Sequence, residues 1–455
     1  MHCVPVVSGR CRNVKRVLMH IPLDVCLGCQ KVAQNYLPVF GRIVVGVCFF
    51  AASMCARAQP WTLESSVERA VAVAPEVRAS AADVAMRAGA LRQAGAWPNP
   101  TVELRVDDRL GQEDGRGGVA LTEVVISQPL PFRRRARQQA GAEASLAGAR
   151  ENQRYQRLLL EQEVARRYAA LQLAYAQRAL TLRRRDLAET FGGADTRRRD
   201  PLVRYLSPIE SHRLTILREQ AYQDVAVAER EYLNAAVDFR SLLALPDATP
   251  IDVAPLVPAV APPPLEVFES YLGSHPALLS TQRALDAARA SVAVAESQRY
   301  ADPELKLFRG QDFLNGARRD VSGVGVSVQV PLWNTNRGPV DKAQAEVLRA
   351  DADHAALRRD VLRRLRQAHG ALGLLIAQTE RLRTNLLEPA GKVIDLTRRG
   401  FASGESNILA LVDANNTYFE AQASYLEQLR DAELIAAELR VAAGIPVSPN
   451  IEVKP

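Results

Sequence analysis

Apolar residues recur at steps of three and four through most of this chain, and in two places they alternate instead. The stripe Leu160, Val164, Tyr168, Leu171, Tyr175, Ala179 and Leu182 traces one face of a helix. No proline occurs from Arg133 to Asp200, so the helix predicted over 134–190 is about 85 Å long at 1.5 Å per residue. That height exceeds an ordinary globular domain and points to a coiled coil. Gly192-Gly193 and Pro201 break it. A second stripe, Leu214, Leu217, Ala221, Val225, Ala228, Tyr232, Ala235, Phe239 and Leu242, predicts a helix over about 206–244, stopped by Pro246. Further helices are predicted over 64–96, 265–299, 340–400 with a kink at Pro389, and 408–443, the last preceded by a turn at Ser403-Gly404.

Alternation marks two strand pairs. In 101–130, Val102-Glu103-Leu104-Arg105-Val106 is followed by a Gly-rich polar loop and a second segment through Val124 and Ile126. In 303–332, Leu305-Lys306-Leu307-Phe308 precedes a polar loop and then Val324, Val326, Val328 and Val330, separated by Gly325, Ser327 and Gln329. About ten alternating residues is the length a tilted strand needs to cross a bilayer. Trp97, Phe132 and Trp333 flank the pairs, where a membrane interface would hold them, and Arg133-Arg134-Arg135 would then meet headgroups. On the strands alone, a soluble two-stranded sheet packed on helices fits as well.

The cassette of helix, strand pair and long helical hairpin occurs twice. Pro100 matches Pro303, Pro129-Leu130 matches Pro331-Leu332, and Ala244-Leu245-Pro246 matches Gly444-Ile445-Pro446. The predicted organisation is a leader (1–58), repeat 1 (59–245), a Pro-rich linker (246–264), repeat 2 (265–445) and a tail (446–455). Helices 206–244 and 265–299, laid end to end, match one long helix in height, so short helices stack beside long ones in a rod or tube. Four strands cannot close a barrel, and membrane-spanning edges must be paired by other copies of the chain. The fold class is therefore mainly α with a small β part and, if the strands span a membrane, a long coiled-coil barrel carrying four transmembrane strands per protomer.

Charge and cysteine divide at the leader. All six cysteines lie at or before position 55, and residues 1–58 hold seven Lys/Arg against one acid, Asp24. The remainder is nearly balanced, 51 basic residues against 50 acidic, which excludes a nucleic-acid surface. Arg42, the apolar run Ile43–Met54 and Ala56-Arg57-Ala58 form a secretory signal with cleavage after Ala58; the alternative is lipid attachment at Cys55. A cysteine-free body suits an oxidising compartment. No HExxH, GxSxG, P-loop lysine motif or cysteine cluster follows the leader, and Gly323-Val324-Gly325 precedes a strand pattern, not a helix. Asp351, Asp353 and His354 scatter around a helix and make no metal set. No enzyme, cofactor or metal site is expected.

The order of these motifs resembles the TolC-like outer membrane efflux proteins, in the branch serving heavy-metal pumps. Carrying it are Pro98-Asn99-Pro100, Asp302-Pro303, Ser127-Gln128-Pro129-Leu130, Val330-Pro331-Leu332, and the run from Gly400-Phe401-Ala402-Ser403-Gly404 to Ile408-Leu409-Ala410-Leu411-Val412-Asp413-Ala414. The resemblance implies a homotrimer with one shared barrel in outer membrane lipid and a helical tube in the periplasm. It also implies a periplasmic adaptor and an inner-membrane pump of the RND type as partners. Ser403, Gly404 and Glu405 map to the tip that meets the adaptor, with Arg197, Arg198 and Arg199 as a second tip. Two selectivity acids of the family map to Ala410 and Asp413, only the latter an acid here, and Phe401 to an aromatic near the entrance. Alternatives are the channel of a type I protein secretion system, which shares this architecture, and a periplasmic coiled-coil adaptor or scaffold.

Overall fold

The computed structural model describes residues 61–107, 121–192, 207–314 and 317–448. Helix α1 (Leu63–Val73) opens on a reciprocal cap: the Thr62 hydroxyl accepts from the Ser65 amide and the Ser65 hydroxyl accepts from the Thr62 amide. The helix expected over 64–96 is two helices, because Ala74 is extended (ψ 128°) ahead of Pro75, where α2 (Pro75–Gly95) starts. The proline ring excludes the helical conformation from the residue before it. The second copy breaks at the same point. Helix α5 (Leu265–Ser270) and one 3₁₀ turn (Tyr271–Ser274) lead to an extended His275 and α6 (Pro276–Ser297).

The tall elements are α3 (Phe132–Gly192), α4 (Pro208–Leu242), α7 (Arg337–Leu382) and α9 (Ile408–Ala442). Helix α3, 61 residues, is about 92 Å long. Pro389 interrupts the seventh helix through a widened turn, Arg383–Leu387, before α8 (Glu388–Ser403). A proline lacks its amide hydrogen and crowds the carbonyl four residues back, and a π-type turn absorbs both.

The duplication is visible in the packing. Val67, Val164, Leu171, Phe239 and Leu243 are buried together beside Trp61. Phe268, Leu365, Leu372, Leu439 and Ala443, each 200 or 201 residues later, form the matching cluster. Between them the Pro-rich linker runs extended across the helices. The Trp61 amide donates to the Asp252 carbonyl (2.7 Å), Gln172 to the Ala254 carbonyl (2.8 Å), and the His369 ring meets the Pro263 carbonyl (2.9 Å).

The four strands, β1 (Thr101–Asp107), β2 (Leu121–Pro129), β3 (Glu304–Leu314) and β4 (Ala317–Ser327), form one antiparallel sheet in sequence order. The second hairpin differs from its expectation. Its supposed polar loop is strand, Leu314 opposing Ala317, and Asn315-Gly316 between them is the favoured sequence for a two-residue connection. At the other end β4 stops at Ser327, opposite Glu304, so Val328 and Val330 continue the alternation beyond the strand.

Candidate functional site

Directly opposed residues share a face of a sheet, and the register here sorts the side chains sharply. One face carries Val102, Leu104 and Val106, then Val124 and Ile126, then Leu305 and Leu307, then Val324 and Val326. Most of these apolar side chains are exposed. The other face carries Glu103, Arg105, Glu123, Ser127 and Lys306 beside Val125 and Phe308, whose ring lies over Gly323 so closely that an added Cβ would collide with it. Towards the hairpin tips the apolar band ends at Arg309, which pairs with Asp320 (3.4 Å). The sheet is thus a piece of wall, apolar towards one side and charged towards the other, with β1 and β4 as edges.

At the foot of the wall, Trp97 and Phe132 meet edge to face (centroids 5.8 Å apart), both exposed, and Trp333 is 92% exposed. The arginines after Phe132 are not all free for headgroups. Arg134 pairs with Asp302 (2.7 Å); Arg135 donates to the Gly95 carbonyl (2.7 Å) and lies over the Trp97 ring. They lock the helix ends where the strands leave, a role set by residues distant in sequence.

At the far end of the tall helices from the sheet is the α8–α9 turn. Gly404 has φ 82°, a left-handed conformation that only glycine adopts cheaply, and the Gly400 carbonyl accepts from both Glu405 and Ser406 amides. Asn407 caps α9 through the Ala410 amide (2.9 Å). Ser403, Gly404 and Glu405 are therefore presented outward by a rigid loop. Arg197, Arg198 and Arg199 lie outside the described residues.

Asp413 and Phe401 occupy different surroundings. Phe401 packs against the cluster of Ala188, Leu214, Leu217, Ala221, Ile408 and Leu411, half-buried between the helix ends. Asp413 is exposed and forms no ion pair among the described residues. It shares an exposed stripe of α9 with Thr417, Glu420, Ser424 and Glu427, spaced three and four residues apart, so two further acids lie on its face. Sequence reading missed Arg184. Its guanidinium joins Asp224 of α4 (2.7 Å) to Asn416 of α9 (2.7 Å), tying the first helical hairpin to the second. Only the long-range fold brings these three together.

Burial shifts the pKa values of several groups, Glu433 and His275 among them. Burial pushes Glu433, on α9 beside the linker, up to about 7. Burial also lowers His275, whose Nδ1 accepts from the Ala277 amide (3.2 Å). His354 is engaged by the Thr281 hydroxyl (2.9 Å), and among the described residues no three His, Cys, Asp or Glu side chains group as a metal would require.

The described elements are thus tall helices carrying a half-apolar sheet with two open edges. Among known proteins, the family model for outer membrane efflux protein matches residues 267–445. The cobalt-zinc-cadmium resistance protein CzcC of Cupriavidus metallidurans is 26% identical over 86% of this chain and 89% of its own length. The nickel-cobalt-cadmium resistance protein NccC of Alcaligenes xylosoxydans xylosoxydans is 25% identical over 65% of this chain and 66% of its own. Among solved structures, the outer membrane protein VceC of Vibrio cholerae superposes with a TM-score of 0.70 at 15% identity, covering 85% of this chain and 97% of that one. The chain is thus similar to outer membrane efflux proteins over its second repeat and to two metal-resistance proteins along most of its length, and it shares its fold with an outer membrane protein.

Proposed function

We propose that three copies of this chain form a passive conduit in the outer membrane that receives divalent metal ions from an RND-type inner-membrane pump through a periplasmic adaptor. The observation that carries the reading is the four-stranded sheet, apolar on one face, charged on the other, and open at both edges. Proteins of this family work as trimeric channels with adaptor and pump partners. In this reading the Ser403-Gly404-Glu405 turn meets the adaptor, with Arg197, Arg198 and Arg199 in the companion turn, while Trp97, Phe132 and Trp333 sit at the lipid interface. Asp413 of three copies would ring the tube axis, favouring cations and resisting closure by mutual repulsion, with Phe401 near the entrance.

Metal cargo is supported by the two resistance proteins named above, CzcC and NccC, rather than by any ligand set in this chain. A conduit needs none, since selection occurs upstream. A strain lacking the chain should accumulate cobalt, zinc or cadmium and recover on re-expression. Unchanged metal content with new drug sensitivity would overturn the cargo; no change in either would overturn the efflux role.

A further inference from the structure

Beneath the join of β2 and β3 the chain holds a cavity of about 630 Å³, a volume common among small-ligand sites. The register places it. The Leu130 amide donates to the Pro303 carbonyl (2.9 Å), one step beyond the pairing of Pro129 with Glu304. Leu130 and Pro303 therefore continue the apolar face of Ile126, Leu305 and Leu307 downwards, and both line the cavity. Phe132 and Tyr300, 64% and 69% exposed, flank it. The cavity thus lies where the apolar face meets the helix ends, one strand in from each open edge.

Its charges are unevenly committed. Arg133 on α3 and Arg299 just past α6 line it, both exposed, and neither side chain has a hydrogen bond or ion pair among the described residues. Arg137 adds a third guanidinium, pinned through one amino group to the Ala293 carbonyl (2.6 Å). Two carboxylates share the wall. Asp302 is held by Arg134 (2.7 Å), whereas Glu296 is exposed and has no ion pair among the described residues. Three cations and one uncommitted anion are left to face a ligand. The duplication shows that the fold does not require them. Leu130 corresponds to Leu332 and Pro303 to Pro100, so Arg133, Arg137 and Arg299 correspond to Thr335, Pro339 and Ala96. Arg135, which binds the Gly95 carbonyl, does recur, as Arg337. Both repeats keep the prolines that end the strands, and one repeat alone supplies the cations.

We propose that this cavity holds the headgroup of a phosphoethanolamine lipid, its phosphate met by Arg133, Arg137 and Arg299 and its ammonium by Glu296. Guanidinium groups bind phosphate oxygens through charge-assisted hydrogen bonds, often two at a time. A lipid bearing phosphate without an amine would leave Glu296 facing the anion unpaired. The acyl chains run along Leu130, Leu305 and Ile126. Gln128, on the same face beside them, is turned back to the Pro98 and Pro129 carbonyls (2.9 and 3.0 Å). A lipid held this way ties the start of α3 to the end of α6 at the membrane boundary, with a single site in each chain.

This site rests on the reading that the apolar face meets lipid, and its test keeps the two apart. Native mass spectrometry of the full-length chain in mild detergent, titrated with phosphatidylethanolamine or phosphatidylglycerol, counts the lipid retained. The wild-type chain should retain the ethanolamine lipid in preference to the glycerol lipid. Arg133→Gln with Arg299→Gln should weaken retention on the order of tenfold, through loss of two charge-assisted contacts. Glu296→Gln should keep lipid bound but remove the preference. All three positions are exposed, and circular dichroism should show unchanged helix content. Equal retention by the wild-type and doubly substituted chains, in an assembly that stays intact, would overturn the site. Displacement of the lipid by free phosphoethanolamine or inorganic phosphate at millimolar concentration would overturn the lipid as its ligand. A wild-type chain that is monomeric and soluble without detergent would instead sink the channel reading.

Discussion

Ala244 and Gly444 occupy the same place in the two repeats, each ending a tall helix with a positive φ (49° and 78°). Only the second is a glycine, so the first holds a side chain in a conformation costing about 1–2 kcal/mol. Ala244→Gly should stabilise the fold by about 0.5–1 kcal/mol once the extra freedom of the unfolded glycine is subtracted. Gly444→Ala should destabilise by about 1–3 kcal/mol, since its Cβ would lie 2.9 Å from the His275 ring. Thermal unfolding followed by circular dichroism checks both signs. His275 itself is buried and neutral, its pKa below the ordinary value near 6.5. The folded state thus binds its proton less readily than the unfolded chain, so stability is intact above about pH 6.5 and declines as pH falls towards the lower folded pKa. His275→Asn, which can still cap Ala277 but does not titrate, should flatten that part of the pH profile; an unchanged slope contradicts the assignment. Asp413→Asn should weaken block of single-channel current by multivalent cations several-fold in planar bilayers. Unaltered block would show that Asp413 does not face the conducting path.

The two faces of the sheet should tolerate charge very differently. Val324→Arg places a cation on the apolar face and should cost about 2–4 kcal/mol in a bilayer, whereas Glu103→Arg on the opposite face should alter ion selectivity with little effect on folding. Assembly yield and reversal potential separate these outcomes; equal damage from both would contradict the face assignment. How far the elements were legible depended on whether their signals are local. The tall helices were, because a proline-free stripe of apolar residues admits few other structures. Strand β4 was misplaced towards its C-terminal end because Val328 and Val330 keep the alternation although β3 has run out, and pairing is a non-local property. Asn315-Gly316 was a readable turn signal hidden by the polar residues around it. The breaks ahead of Pro75 and Pro276 were equally readable. Nothing local revealed that Arg184 would bridge Asp224 and Asn416, that Phe401 would lie in a packed cluster, or that Trp97 and Phe132 would touch.

At the scale of the molecule, the proposed assembly of three chains follows from the duplication. Each repeat supplies two strands, one tall helical hairpin and one short stacked helix, and the repeats join once inside the chain, leaving one strand edge of each open. An edge of that kind facing lipid cannot persist, because its amides and carbonyls would have no partners there. Native mass spectrometry of the protein extracted in mild detergent tests this most directly. The account predicts a closed assembly of three chains that needs detergent to stay in solution; a chain that is monomeric and soluble without detergent would contradict it.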